Sequence, residues 1–324
     1  MKAVVLREFG GPEQLQVQLV EDPTPGPGQV RIAVAASGVH LLETWFRRGR
    51  AVGPHPVPEL PVTLGDEVAG IVDAVGPDLD PNEWIGHRVA ASPLASGGYA
   101  EFVLADHTSV HLVPAELSNE SAVSMLATGA TALAIIELAA ITASDTVLVT
   151  AAAGGIGTLL VQHAHRVGAT VVGAASTSAK RTVILRAGAD EAVDYTAEVW
   201  ANDVGPRVTV VLDGVAGKVA EELYPTLRQG TRVISFGAAA NTGDLTAVAT
   251  PSGVTFQSLF DSPVMALFAD PTGHHRLQAA ALQAAASGHF QPETTTYPLV
   301  EAAAAHAQLE ARRTTGKVLL IPGP

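Results

Sequence analysis

The sequence predicts an α/β chain of two parts, a doubly wound parallel sheet and a second domain rich in β-strand. Three observations carry this expectation. Val147-Leu148-Val149-Thr150 is apolar and β-branched, as a strand buried on both faces of a parallel sheet must be. It runs at once into Ala151-Ala152-Ala153-Gly154-Gly155-Ile156-Gly157, after which Leu159, Leu160 and Ala164 recur at helical spacing. From about residue 116 strand-like and helix-like segments alternate, whereas residues 1–114 read as strands and turns.

The elements follow in order. A strand opens the chain and soon meets Arg7 and Glu8; residues 30–34 alternate with period two; residues 68–75 form a strand closed by Gly76-Pro77. Strands at 84–90 and 100–104 follow, a short helix is expected at 41–48, and Pro and Gly mark loops at 23–28 and 53–61. Beyond residue 116 come helix 121–138, strand 147–150, helix 158–167, strand 170–174, helix 178–187 and strand 191–194. Strand 208–213, helix 217–227 and strands 231–237 and 254–260 continue the pattern. Helices at 275–287 and 300–311 and a strand at 317–321 end it. This tail is too small for a domain and is expected to complete the first one, which gives boundaries of 1–116, 117–256 and 257–324.

Composition removes several classes of function. At 324 residues the chain exceeds what one core usually spans, and 47% of it is hydrophobic. A net charge of −13 without a basic run argues against a nucleic-acid partner. The absence of Cys removes disulfides, thiol catalysis and thiolate zinc sites together. The most apolar window, residues 122–143, contains Thr128, Thr131 and Glu137 and no aromatic belt, so it reads as buried helix rather than a membrane span. The expectation is a cytoplasmic protein acting on a small molecule, with no membrane partner.

A strand, a glycine turn and a helix in that order form the setting in which a dinucleotide is held. Glycines let the backbone approach a pyrophosphate, and the helix N-terminus presents N–H groups and a positive dipole end. The pattern departs at Ala152, which stands where the first glycine would be; a tight strand-to-helix turn is the plain alternative. Ligands of such sheets lie beyond the carboxyl ends of the strands, where Gly173, Asp213-Gly214 and Gly237 fall. Between Gly157 and Ala189 there is no carboxylate to take a ribose hydroxyl, whereas Ser176, Thr177, Ser178, Lys180 and Arg181 supply the hydroxyls and cations that a 2′-phosphate needs. The cofactor expected is therefore NADPH.

Over nearly its whole length the chain resembles the zinc-independent medium-chain dehydrogenase/reductases, and within them the zeta-crystallin-like NADPH:quinone oxidoreductases. The resemblance rests on Ser37-Gly38-Val39 through Phe46-Arg47-Arg48-Gly49, Leu64-Gly65-Asp66-Glu67-Val68-Ala69-Gly70, Gly97-Gly98-Tyr99-Ala100-Glu101-Phe102, the Ala151–Gly157 turn, Gly188-Ala189-Asp190 and Thr315-Gly316-Lys317-Val318-Leu319. It implies a GroES-like catalytic domain, a Rossmann domain and a homodimer paired at the Rossmann sheet edge, here residues 254–260. The residues matching the family's 2′-phosphate site are Ser176, Lys180 and Tyr195. Thr131, Ala152, Gly154, Gly155 and Ile156 are expected along the cofactor, Phe236 and Gly237 under its nicotinamide, and Lys317 near its ribose.

Catalytic expectations follow from the same resemblance. His40 and Trp45 match an Asn and a Tyr of the segment that lines the substrate cleft in relatives. An imidazole ordinarily titrates near working pH, so His40 is a candidate donor of a hydrogen bond or a proton, with a structural His fastening a loop as the plain alternative. The Cys, His and Cys of zinc-dependent relatives match His40, Asp66 and Ala127; Ala127 has no donor, so no metal is expected. An Arg that relatives often carry near Leu259 is absent. No Tyr-x-x-x-Lys or Gly-x-Ser-x-Gly arrangement occurs. The function implied is hydride transfer to a quinone or an α,β-unsaturated carbonyl. An enoyl-thioester reductase, or an NADPH-binding protein without turnover of crystallin-like or sensor type, are the alternatives.

Overall fold

The computed structural model describes residues 1–51, 56–92, 97–237, 250–259 and 265–323. The chain divides into two compact units, Met1–Ala127 with Thr294–Pro324, and Thr128–Glu293. The first contains β1 (Lys2–Leu6), β2 (Leu15–Leu19), β3 (Gln29–Val39), α1 (Leu41–Arg47), β4 (Val62–Thr63), β5 (Val68–Val75), α2 (Pro81–Trp84), β6 (Arg88–Ala91), β7 (Phe102–Asp106), β8 (Val110–Leu112) and α3 (Asn119–Ser124). The second contains α4 (Ala130–Ala139), β9 (Thr146–Val149), α5 (Gly155–Arg166), β10 (Thr170–Ala175), α6 (Ser178–Arg186), β11 (Glu191–Asp194), α7 (Trp200–Val204), β12 (Val210–Asp213), α8 (Gly217–Leu223), β13 (Arg232–Ser235), β14 (Thr255–Ser258), α9 (Met265–Ala269) and α10 (Pro271–Ala286). The chain then returns to the first unit as β15 (Thr294–Pro298), α11 (Ala302–Glu310) and β16 (Lys317–Ile321).

In the first unit β15-β16-β3-β5-β6-β8 form one sheet, with β7 also on β3, and β2-β1-β4 form a smaller one. Alternation along β3 turns Val30, Ile32 and Val34 into a core shared with Val68, Val72, Val89 and Val103. The returning tail is part of this unit's core, because Val318 and Leu320 pack with Val4, Leu6 and Tyr99. Residues 84–90 differ from expectation: Pro81 opens a helical turn capped by Asp80, and extended pairing starts only at Arg88.

The second unit is built on the parallel sheet β11-β10-β9-β12-β13-β14. Strand order reverses between β9 and β12, which places a crevice at their carboxyl ends. The chain leaves this unit after Glu293 rather than at 256, because α10 packs on α4. The apolar run Asn119–Ala139 has 67% of its most apolar window buried inside the protein. It widens into a π-helix at Met125–Gly129, around the position of Ala127.

Candidate active and cofactor sites

Three strand ends of the first unit meet at one cluster of charges. In β3, Ser37 pairs with Val68 of β5 and Val39 with Val318 of β16, so His40, Glu67 and Lys317 each stand at the same end of neighbouring strands. Lys317 Nζ lies 2.6 Å from Glu67 Oε1 and 3.1 Å from His40 Nε2. His40 Nε2 in turn lies 3.0 Å from Glu67 Oε1 and 3.3 Å from Asp66 Oδ1. The other oxygen of Glu67 accepts the backbone N–H of Ala127 at 3.0 Å. Glu67 comes this close to β3 only because residue 38 is glycine; a Cβ there would collide with its carboxylate.

Exposure sorts these groups. The side chains of Lys317 and Glu67 are 5% and 0% exposed, His40 16% and Asp66 48%, so the imidazole and Asp66 face the solvent side of the cluster. Burial and the Lys317 charge press the His40 imidazole toward neutrality, but Glu67 and Asp66 outweigh them and raise its pKa to about 10. Burial likewise opposes ionisation of Glu67, yet the adjacent Lys317 and His40 hold its pKa far below the usual carboxylate range. With both carboxylates ionised and both bases protonated, the cluster is balanced in charge.

Behind it lies a second buried chain that the sequence reading did not single out. Glu43 takes the third position of α1 after the cap residue His40, and its Oε2 accepts the His40 backbone N–H at 2.7 Å. The same oxygen accepts the Tyr99 hydroxyl at 2.6 Å, and the Tyr99 oxygen lies 3.0 Å from His306 Nε2. Glu43 Oε1 is buried without a partner. Burial pushes the Glu43 pKa up to about 7 and the His306 pKa down to about 3. Trp45 is half-buried on α1, two residues beyond Glu43.

The second unit gathers most of the expected cofactor residues at strand ends. Ala152 and Gly154 lie between β9 and α5, and Gly155 and Ile156 open that helix, whose cap residue Gly154 has no side-chain acceptor. Ser176 follows β10, Lys180 sits in the first turn of α6 and Tyr195 follows β11; β10 and β11 are neighbours, with Ala175 opposite Asp194. Arg181 is diverted to Asp194 at 2.7 Å. Phe236 and Gly237 follow β13, and Thr131 is half-buried at the start of α4. Lys317 opens β16 in the first unit, and its amine goes to Glu67 and His40.

Two family descriptions match the chain: "Alcohol dehydrogenase GroES-like domain" over residues 26–115 and "Zinc-binding dehydrogenase" over residues 187–320. A quinone oxidoreductase of Pseudomonas aeruginosa is 32% identical over 99% of both chains. A 2-haloacrylate reductase of a Burkholderia species is 30% identical over 99% of this chain and 98% of its own. The crystal structure of Escherichia coli quinone oxidoreductase complexed with NADPH superposes with a TM-score of 0.85 at 27% identity, covering 99% of this chain and 100% of that one. With these likenesses and the strand order of the sheets, the chain belongs to the quinone oxidoreductase family of the medium-chain dehydrogenase/reductases.

Proposed function

We propose that the protein is an NADPH-dependent oxidoreductase that reduces a quinone or an α,β-unsaturated carbonyl without a metal. The observation that carries this reading is the His40–Glu67–Lys317 cluster, a partly exposed imidazole kept protonated beside a fixed ammonium. Glu67 has one oxygen on Lys317 and the other on the Ala127 N–H, and Ala127 has no donor side chain. The chain's own cation thus stands where a metal would need free ligands.

The residues present fit the dinucleotide. A Cβ at Gly157 would collide with the Ala151 carbonyl, so this glycine lets α5 start tight against the turn. With no side chain capping α5, its first N–H groups remain for a pyrophosphate. Ser176 stands at the end of β10, where an NAD site carries an acid, and Lys180 and Tyr195 stand nearby in the fold. We assign Thr131, Ala152, Gly154, Gly155, Ile156, Phe236 and Gly237 to the rest of this site. NADPH, when bound, supplies the hydride.

His40 serves the acceptor. A carbonyl conjugate that has gained a hydride carries negative charge on oxygen, and the imidazolium can neutralise it with a proton. Glu67 and Asp66 keep that proton in place at rest. Lys317, 3.1 Å from the ring nitrogen, makes its release easier because the neutral ring no longer opposes the ammonium. Trp45 is assigned to the apolar wall of the substrate pocket. The relative named for 2-haloacrylate favours an activated alkene as one acceptor class. The test is oxidation of NADPH with a panel of quinones, enones and enoyl thioesters; absence of turnover with all of them overturns the reading.

A homodimer through β14, the last strand of this sheet among the described residues, belongs to the same proposal, since an edge strand invites pairing. The Phe256 ring lies beside Tyr224, centroids 6.1 Å apart, and Phe260 lies outside the described residues. Light scattering at micromolar concentration tests it, and a strictly monomeric mass refutes it. A cytoplasmic location is proposed on the burial of the apolar run Asn119–Ala139 within the fold.

A further inference from the structure

At the end of β12, Asp213 is fully buried, and among the described residues its carboxylate accepts hydrogen bonds from uncharged donors. Oδ1 accepts the Thr150 hydroxyl at 2.6 Å and the backbone N–H groups of Val215 and Ala216 at 3.0 and 3.1 Å. Oδ2 accepts the Tyr224 hydroxyl at 2.7 Å. Thr150 also accepts the Gly214 N–H at 2.9 Å, so one hydroxyl links the ends of β9 and β12. A buried carboxylate is tolerated only when its lone pairs are met, and four donors meet them here.

The turn held in this way is strained. Ala216 has φ 59° and ψ −158°, a region that glycine occupies almost alone, and Ala151 at the end of β9 has φ 50°. Gly214 lies between them, with room for no side chain: a Cβ would come 2.8 Å from the Phe236 ring and 3.3 Å from the Ala151 methyl. Thr150-Ala151, Gly214-Val215-Ala216 and Phe236 are therefore fitted to one another at the ends of three adjacent strands, around the point where the strand order reverses. Strained backbone of this kind persists where surrounding bonds over-determine it, and it concentrates at ligand clamps.

We propose that Asp213 is a positioning residue for the nicotinamide half of the cofactor, acting through Thr150 and Tyr224 to fix the Gly214–Ala216 turn. The proposal rests on the NADPH reading above. The argument is one of placement: the adenosine phosphate is assigned to the ends of β10 and β11 and the pyrophosphate to α5, which leaves the ends of β12 and β13 for the other half.

The test separates the two halves of the ligand. Dissociation constants for NADPH and for adenosine 2′,5′-bisphosphate, which lacks the nicotinamide half, are measured on wild type, Tyr224→Phe, Thr150→Val and Thr150→Ser. Tyr224→Phe and Thr150→Val are expected to weaken NADPH about tenfold, the factor of one neutral hydrogen bond in a fitted site, and to leave the bisphosphate unchanged. Thr150→Ser, which keeps the hydroxyl, is expected to retain wild-type affinity for both. Equal weakening of both ligands, or of neither, in folded variants would make the network merely structural and overturn the proposal. Failure of wild type to bind either ligand overturns the cofactor reading itself, and the proposal with it.

Discussion

The Lys317 ammonium stands 2.6 Å from Oε1 of Glu67, with both side chains shut away from solvent. The two residues are 250 positions apart in the chain, and antiparallel pairing of β16 and β5 on either side of β3 brings them together. Chelation is expected to leave turnover unchanged, since this pair needs no metal to satisfy it. Lys317→Met strands a buried carboxylate and is expected to cost about 3–5 kcal/mol in urea unfolding, with partial recovery in the double variant Lys317→Met/Glu67→Gln. Loss of activity in EDTA that zinc restores would refute the metal-free assignment.

His40→Ala is expected to lower kcat for an enone roughly 100-fold with NADPH saturating, the size of general acid catalysis. A quinone should suffer far less, because its reduced oxygens can take protons from water. The protonated ring is the active form and its pKa is raised to about 10, so the wild-type enone rate should hold through neutral pH and fall as pH rises through about 10. A fall centred near the ordinary imidazole value would show that Glu67 and Asp66 do not hold the proton.

NADPH is expected to bind far more tightly than NADH. Removing one charge-assisted contact to the 2′-phosphate by Lys180→Ala should cost about 1.5–3 kcal/mol in NADPH affinity and little for NADH. Arg181→Ala should have a small effect, because Arg181 is already engaged by Asp194 at 2.7 Å. Fluorescence titration of both cofactors decides it, and equal affinities in wild type would remove the phosphate site.

Glu43 gives stability a pH dependence of known sign. Its pKa is about 7 in the fold against an ordinary 4.5, so the folded protein holds this proton more tightly than the unfolded chain. The contribution is fully present below about pH 4.5 and is lost as pH rises through about 7, a change of roughly 3 kcal/mol at most. Glu43→Gln, a close match to the neutral acid, should lack this slope. Urea unfolding of both proteins at several pH values measures it, and parallel curves would show that Glu43 ionises normally.

Sequence by itself determined the parts whose causes are local. The buried strand ahead of Gly154-Gly155-Ile156-Gly157, the alternation of helix and strand after residue 116 and the missing acid before Ala189 each follow from neighbouring residues, and each marks the parallel sheet or its ligand. His40, Asp66 and Ala127 could be singled out because short motifs around them match a family pattern. Residues 84–90 read as a strand in the sequence, but a capped proline turn outweighs their apolar residues.

Tertiary structure decided what depends on pairing between distant strands. Lys317 belongs to the last strand and carries no sign of a partner in its own neighbourhood; only its place beside β3 puts its amine between Glu67 and His40. Glu43, Tyr99 and His306 form one hydrogen-bonded chain although they come from a helix, a loop and the returning tail. Asp213 marked a strand end in the sequence, but its four donors come from three separate segments. A buried charge takes its pKa and its role from what faces it in space, and periodicity along the chain carries no information about that.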